Sequence, residues 1–177
     1  MTSNPATSET STGDPAISIR RFVPADAEPC LALFRDTIRR VNIRDYTPAQ
    51  INAWAPSEMD STAWANRFRG RFAYVAVVSD RIAGFTDMTN TGYLDRLFVS
   101  ADHQRCGIAS RLIAPLFNDA ISHNLEQITA DVSITAKPFF ERMGFVIVQQ
   151  KLAERHGETL TNFKMRLTLG RAQNAQA

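Results

Sequence analysis

The chain has 177 residues, 44% of them hydrophobic, enough for one well-buried domain and short for two. Its 20 basic and 18 acidic side chains leave a formal charge of +2, too balanced to announce a nucleic-acid or membrane surface. Two cysteines without Cys-x-x-Cys spacing and three histidines without a ligand pattern argue against a disulfide framework or a metal site, and with no signal peptide or membrane-length apolar run the expected home is the cytoplasm.

Residues 1–16 are Ser, Thr, Pro, Ala and Asn with hardly an apolar anchor, so they are expected to be a disordered leader ahead of a single domain over 17–169, with 170–177 a frayed tail. A short first strand begins at Ile17. Pro24-Ala25-Asp26 opens a helix whose apolar residues, Cys30, Leu31, Phe34 and Ile38 among them, recur at three and four. A second helix has Thr47 as N-cap, Pro48 at the first helical position and Gln50 completing a capping box, and it stops at Pro56. A third, from Ser61 to about Arg69, gathers Trp64 and Phe68. These short helices suit a mobile lid over a pocket, and the basic residues from Arg67 to Arg71 are expected on a solvated face.

Phe72 to Val78 is wholly apolar and reads as a central strand covered on both faces. A tight turn at Ser79-Asp80 returns it through Arg81 to Met88, and a further turn leads into Tyr93 to Val99, giving a meander. A polar loop, Ser100 to Cys106, then enters a helix at Gly107. The strand Gln127 to Val132 follows by a helical crossover and is expected parallel to the Tyr93 strand. A short helix over Thr135 to Met143 ends at Gly144, and strands Phe145 to Gln149 and Asn162 to Leu169 close the domain, with Lys151 to Glu158 as a loop between them.

Chemistry concentrates where the polar loop meets its helix. The first turn of a helix carries backbone N–H groups without partners and the positive end of the dipole, so Gln104-Arg105-Cys106-Gly107-Ile108-Ala109 forms an anion site, with Arg105 and Arg111 adding charge nearby. In a strand of period two, Tyr93, Asp95 and Leu97 fall on one face. If that face lines a cleft, Asp95 is a base or an amine anchor with Tyr93 beside it; otherwise it is ion-paired to a neighbouring arginine. Asp131 and Ser133 share a face of the opposing strand. Cys106 reads as a small filler and His103 as a solvated loop histidine.

Leu97-Phe98-Val99 followed by Gln104 to Ala109, together with Ala136-Lys137-Pro138-Phe139-Phe140-Glu141-Arg142-Met143-Gly144-Phe145, resembles the two signature motifs of the GNAT superfamily of acyl-CoA-dependent N-acetyltransferases. Asp45-Tyr46-Thr47-Pro48 through Ala53-Trp54-Ala55-Pro56 is similar to a bacterial, YafP-like branch of it. The resemblance implies an α+β fold: a six- to seven-stranded, mostly antiparallel mixed sheet with one parallel, splayed strand pair, flanked by about four helices. It implies acetyl-CoA as co-substrate and no metal. The main chain of Leu97, Phe98 and Val99 would pair with the pantetheine arm, and Gln104, Arg105, Cys106, Gly107, Ile108, Ala109 and Ser110 would hold the pyrophosphate. Ser133, Phe139, Phe140 and Arg142 would line the rest of the arm.

One departure matters. The family's proton-donating tyrosine is here Phe140, which leaves Tyr46 and Thr135 as other donor candidates and a non-catalytic acyl-CoA sensor as the alternative to an enzyme. The acceptor is expected to be a small-molecule or peptide amine, with Arg44 and Asp45 as possible readers of its charges. Monomer and homodimer both remain open.

Overall fold

The computed structural model describes residues 16–170. Seven strands form one sheet in the order β1-β2-β3-β4-β5-β7-β6: β1 (Ile17–Arg21), β2 (Phe72–Val78), β3 (Arg81–Met88), β4 (Tyr93–Val99), β5 (Gln127–Ser133), β6 (Val146–Arg155) and β7 (Glu158–Thr168). Of the pairings, only β4 with β5 is parallel. Five α-helices cover the faces: α1 (Ala27–Arg40), α2 (Pro48–Trp54), α3 (Ser61–Asn66), α4 (Ile108–Ser122) and α5 (Lys137–Arg142). The expected leader and tail lie, but for Ala16 and Gly170, outside the described residues. Among the described residues no helix is long and apolar enough to cross a membrane.

Each face of the sheet has its own core. On one side α4 and α5 bury Ile108, Leu112, Ile113, Leu116 and Phe140 against Ala76, Leu94, Ile128 and Met165. On the other, α1 to α3 and the turn after α3 bury Leu31, Phe34, Ile38, Trp64 and Phe68 against Val75 and Phe85. Trp64 is fully enclosed, and its indole N–H donates to Ala27 O at 2.9 Å, so the large ring is buried without stranding its polar atom.

The capping box at Thr47 forms as the sequence dictates, Gln50 N donating to Thr47 Oγ1 at 3.2 Å and Thr47 N to Gln50 Oε1 at 2.9 Å. Gln50 then reaches further, its Nε2 donating to Thr159 O at 2.8 Å. Helix α3 is shorter than its apolar pattern suggests: Asp60 caps it, and the chain leaves the helix at Asn66 through single turns.

The largest departure is at the C-terminal hairpin. Lys151 to Glu158, expected as a loop, is mostly strand: β6 runs to Arg155 and turns on His156 and Gly157, both in the left-handed region (φ 45° and 83°), as a two-residue hairpin turn requires. The strand leaves little mark in the sequence because β6 lies at the sheet edge, where polar side chains are favoured and mask the usual apolar alternation.

Gly84 seats α4 on the sheet. A β-carbon there would lie 2.9 Å from Phe98 O, 3.0 Å from Ile108 Cγ2 and 3.0 Å from Leu112 Cδ1, so backbone and helix are both in the way. Gly84→Ala is expected to cost about 1–3 kcal/mol in denaturant unfolding, the range for overpacking a filled core. An unchanged unfolding midpoint would show that α4 is not held at this distance by the bare backbone.

Candidate active site

Strands β4 and β5 pair over Tyr93↔Thr129 and Leu94↔Ala130 and then separate. The split opens a cavity of about 1780 Å³, larger than the ~300–1,000 Å³ of an ordinary small-molecule pocket and thus roomy enough for two ligands together. The residues singled out above for catalysis or cofactor contact line it, except Arg111 and Cys106, the latter exposed in the loop beside it.

One wall is the free edge of β4. Ser100 N donates to Ala83 O on β3, so by the alternation of an antiparallel ladder Phe98 also turns its main-chain groups toward β3, while Leu97 and Val99 turn theirs into the split. Val99 O is occupied, accepting from Thr37 Oγ1 at 3.1 Å and Gln104 Nε2 at 2.7 Å. Gln104 also donates to Ser100 O at 3.0 Å, so its side chain closes the loop on itself. The Phe98 ring packs on Phe34 and Phe85.

The loop enters α4 through two left-handed residues, Arg105 (φ 63°) and Gly107 (φ 77°). This turns successive N–H groups toward one point, a concavity that suits an anion. The first helical bond is Arg111 N to Gly107 O, which leaves the N–H groups of Ile108, Ala109 and Ser110 without intrahelical partners. No atom lies within 4 Å of a β-carbon built on Gly107, so the glycine is needed for its backbone angle and not to clear the protein itself. Arg111 is turned away from this site, donating to Ile17 O at 3.2 Å.

The opposite wall comes from β5, α5 and the β6–β7 hairpin. Ser133 Oγ accepts from Ala136 N at 3.1 Å and so shapes the entry to α5. Phe140 is a core residue at the cavity edge, meeting Phe139 and Phe145 edge-on. Over the top, Tyr46 donates its hydroxyl to Thr161 O at 2.7 Å and accepts from Ile134 N at 2.9 Å, while His156 Nδ1 lies 2.9 Å from Ala53 O. With Gln50 these contacts fasten α2 to the hairpin, so the expected mobile lid is a tethered roof. Arg44 bonds its own turn at Val41 O, at 3.1 Å.

The expected face of Tyr93, Asp95 and Leu97 is broken by a bulge. Leu94 stands opposite Met88 but Arg96 opposite Asp87, so Asp95 is skipped in the register. Leu94 and Leu97, three residues apart, consequently both join the α4-side core, which a regular strand forbids. Asp95 and Arg96 instead both meet the other layer. Asp95 Oδ2 accepts from Arg71 Nη1 at 2.9 Å and Arg67 Nη2 at 3.2 Å. Arg71 Nη1 also reaches Asp87 Oδ2 at 2.8 Å, and the fully buried Asp87 accepts from Arg96 Nε at 2.6 Å. Of the basic residues expected on a solvated face, Arg67 stays exposed while Arg71 turns inward; the signal was Asp87, an acid near the end of a largely apolar strand. Burial pulls the Arg71 guanidinium down, but Asp87 and Asp95 outweigh it and hold it above its ordinary value.

Tyr93 stands where β4 and β5 part. Burial and the negative charges of Asp131 and Asp95 push its phenol up to about 12. Asp131 itself is paired to Lys151 Nζ at 2.8 Å.

The sequence matches the family described as acetyltransferase (GNAT) domain over residues 42–169, and the chain belongs to that family. It is 37% identical over 150 residues to a curated Escherichia coli (strain K12) protein named uncharacterized N-acetyltransferase YafP, covering 85% of this chain and 95% of that one. Among solved structures it is similar to a GCN5-related N-acetyltransferase, aminotransferase class-II, from Rhodopseudomonas palustris, at 29% identity and TM-score 0.82 over 89% of this chain and 97% of that one. At the level of fold it also resembles the Salmonella typhimurium acetyltransferase yncA, whose structure holds acetyl-CoA: 16% identity, TM-score 0.67, 92% and 99% coverage.

All three tyrosines of the protein are held above the ordinary phenol value of 10.0: Tyr46 chiefly by burial, Tyr93 as described, and Tyr74, at about 12, by burial and its 2.6 Å hydrogen bond to Asp119. The unfolded chain therefore ionises before the folded one. The stability these phenols contribute is complete below their unfolded pKa of ~10 and is lost as pH rises through the folded values. An ultraviolet titration of the native protein should show phenolate appearing late, together with alkaline unfolding; full ionisation at pH ~10 with the fold intact would contradict this.

Proposed function

We propose that the protein moves the acetyl group of acetyl-CoA to a primary amine by direct transfer, with both substrates in the cleft at once. The observation that carries this reading is the single cavity that runs from the α4 entrance, along the free edge of β4 at Leu97, to the pocket roofed by α2 and α3. Acetyl-CoA suits its first half: main-chain N–H groups at Arg105 to Ser110 for the pyrophosphate, and a strand edge for the amide-bearing arm. The acetyl-CoA held by the Salmonella fold relative, and the coenzyme A held by the Thermoplasma acidophilum PaiA N-acetyltransferase, support that assignment.

Direct transfer is favoured over an acyl-enzyme because neither cysteine lines the cavity. Cys30 is buried, which pushes its thiol up to about 12, and Cys106 lies outside the cleft wall. Asp95 lies at the bulge, beside the part of β4 where the thioester would sit. Its Oδ2 is taken by two guanidiniums, so the amine proton is attracted and received at Oδ1, directly or through water. Tyr93 acts as a hydrogen-bond donor and not as the acid for the leaving thiolate. A phenol pushed up to about 12 is a weaker acid than an ordinary thiol at ~8.5, so it is poorly matched to protonating the thiolate. With Phe140 in the usual acid's place, the thiolate leaves unprotonated and takes its proton from solvent. A cytoplasmic location suits two unpaired cysteines.

Two variants separate the halves of the cleft. Gly107→Glu sets an acid into the anion site at a left-handed position; it is expected to abolish coenzyme A binding in calorimetry while the fold survives. Asp95→Asn is expected to keep acetyl-CoA affinity and to lower turnover at least tenfold, about the low end for losing a general base or anchor. Tight coenzyme A binding with no acetylation of any amine, in the unaltered protein, would favour the sensor instead.

A further inference from the structure

Under α3, where the roof meets the bulge of β4, three arginines share two aspartates. Asp87 is saturated by Arg96 and Arg71, and Asp95 Oδ2 by Arg71 and Arg67. The network keeps one positive charge uncompensated in a half-buried place, where an unpaired charge is costly unless something of opposite sign meets it.

The three guanidiniums are not equivalent. Arg96 is buried, its side chain 3% exposed, with its guanidinium over Phe68 at 3.9 Å and Trp64 at 4.9 Å; its Nη2 donates to Arg67 O at 3.3 Å and its buried Nη1 has no hydrogen-bond partner. Arg71 is committed to both aspartates. Arg67 differs: its side chain is 48% exposed, it lines the cavity, and it makes one hydrogen bond to Asp95, at 3.2 Å, while resting over the Trp64 ring at 5.8 Å. A guanidinium carries its N–H donors in a planar fork that matches a carboxylate in two-point contact, so Arg67 is held in position with most of that fork unused.

We propose that the acceptor amine bears a carboxylate, with Arg67 reading the carboxylate and Asp95 Oδ1 holding the amine. The substrate class is a short amino carboxylate, of which free α-amino acids are the simplest members. This rests on the acetyl transfer to a primary amine proposed above and adds the acceptor's second charge. The distance requires a short molecule: Asp95 and Leu97 are two strand residues apart, on the order of 7 Å, so amine and carboxylate must both fit between the bulge and the reacting carbonyl. The neighbouring Arg67–Asp95 pair presents the two opposite charges that such a zwitterion carries. A plain ammonium would raise the charge of the cluster further, whereas the zwitterion adds none, and once its amine is deprotonated for transfer its carboxylate cancels the excess positive charge.

The test is a coenzyme A release assay on a panel of L-amino acids and β-alanine, each beside its carboxamide, which keeps the amine and removes the negative charge. At least one acid should be acetylated with kcat/KM about tenfold or more above its carboxamide, the worth of one charge-assisted contact. Arg67→Gln should erase that preference, mainly through KM and with coenzyme A affinity unchanged, and Arg67→Lys should restore part of it. Carboxamides or plain amines accepted as well as the acids, or a preference that survives Arg67→Gln, would overturn the amino carboxylate assignment and leave acetyl transfer standing. No transfer to any amine by a protein that binds coenzyme A would overturn both.

Discussion

Strands β4 and β5 share only two residue pairs before they diverge, and the main-chain groups released by that divergence must find partners somewhere. At Val99 the protein supplies them, through Thr37 and Gln104. At Leu97 the free groups face a cavity, where under the proposed function a ligand with its own amide groups would satisfy them. The rest of the fold holds the split open. On one side α4 lies as close to β3 as a bare glycine allows, fixing the helix start that faces the loop. On the other, the Tyr46 hydroxyl bridges β7 and the segment after β5, so the second wall cannot drift from the roof without breaking two hydrogen bonds.

The bulge at Asp95 ties this opening to electrostatics. An extra residue in β4 turns two consecutive charged side chains, Asp95 and Arg96, toward the α3 layer, where Asp87, Arg67 and Arg71 meet them. Such a network is poor evidence of stability, since desolvating the charges offsets much of their attraction, and removing one member of a buried pair typically costs about 3–5 kcal/mol. Its consequence is positional. It fixes a carboxylate and a half-exposed guanidinium at one end of the cleft, as the Arg105–Gly107 loop fixes a set of unpartnered N–H groups at the other.

Much of this was legible in the chain. The capping box at Thr47, the glycine opening α4, the meander and the parallel crossover all leave marks in local residue type and apolar spacing, and they form where those marks predict. What stayed hidden has two physical causes. Hydrophobic periodicity reports which side chains are buried, not how backbones register; the skipped Asp95 is a main-chain event, and the polar edge strand β6 has the composition of a loop. The ion pairs join residues far apart in sequence, so Arg71 looks solvated until the fold brings Asp87 and Asp95 beneath it. Tyr46 was visible as a possible proton donor, but that its hydroxyl is already engaged on both sides required β5 and β7 in place.

The central claim is that one continuous cleft holds acetyl-CoA and the amine together, so that the acetyl group never rests on the protein. Initial velocities measured with both substrates varied test it most directly. Double-reciprocal lines that intersect are the predicted result, since a ternary complex must form before any product leaves. Parallel lines, with a burst of coenzyme A released before any amine is added, would contradict it.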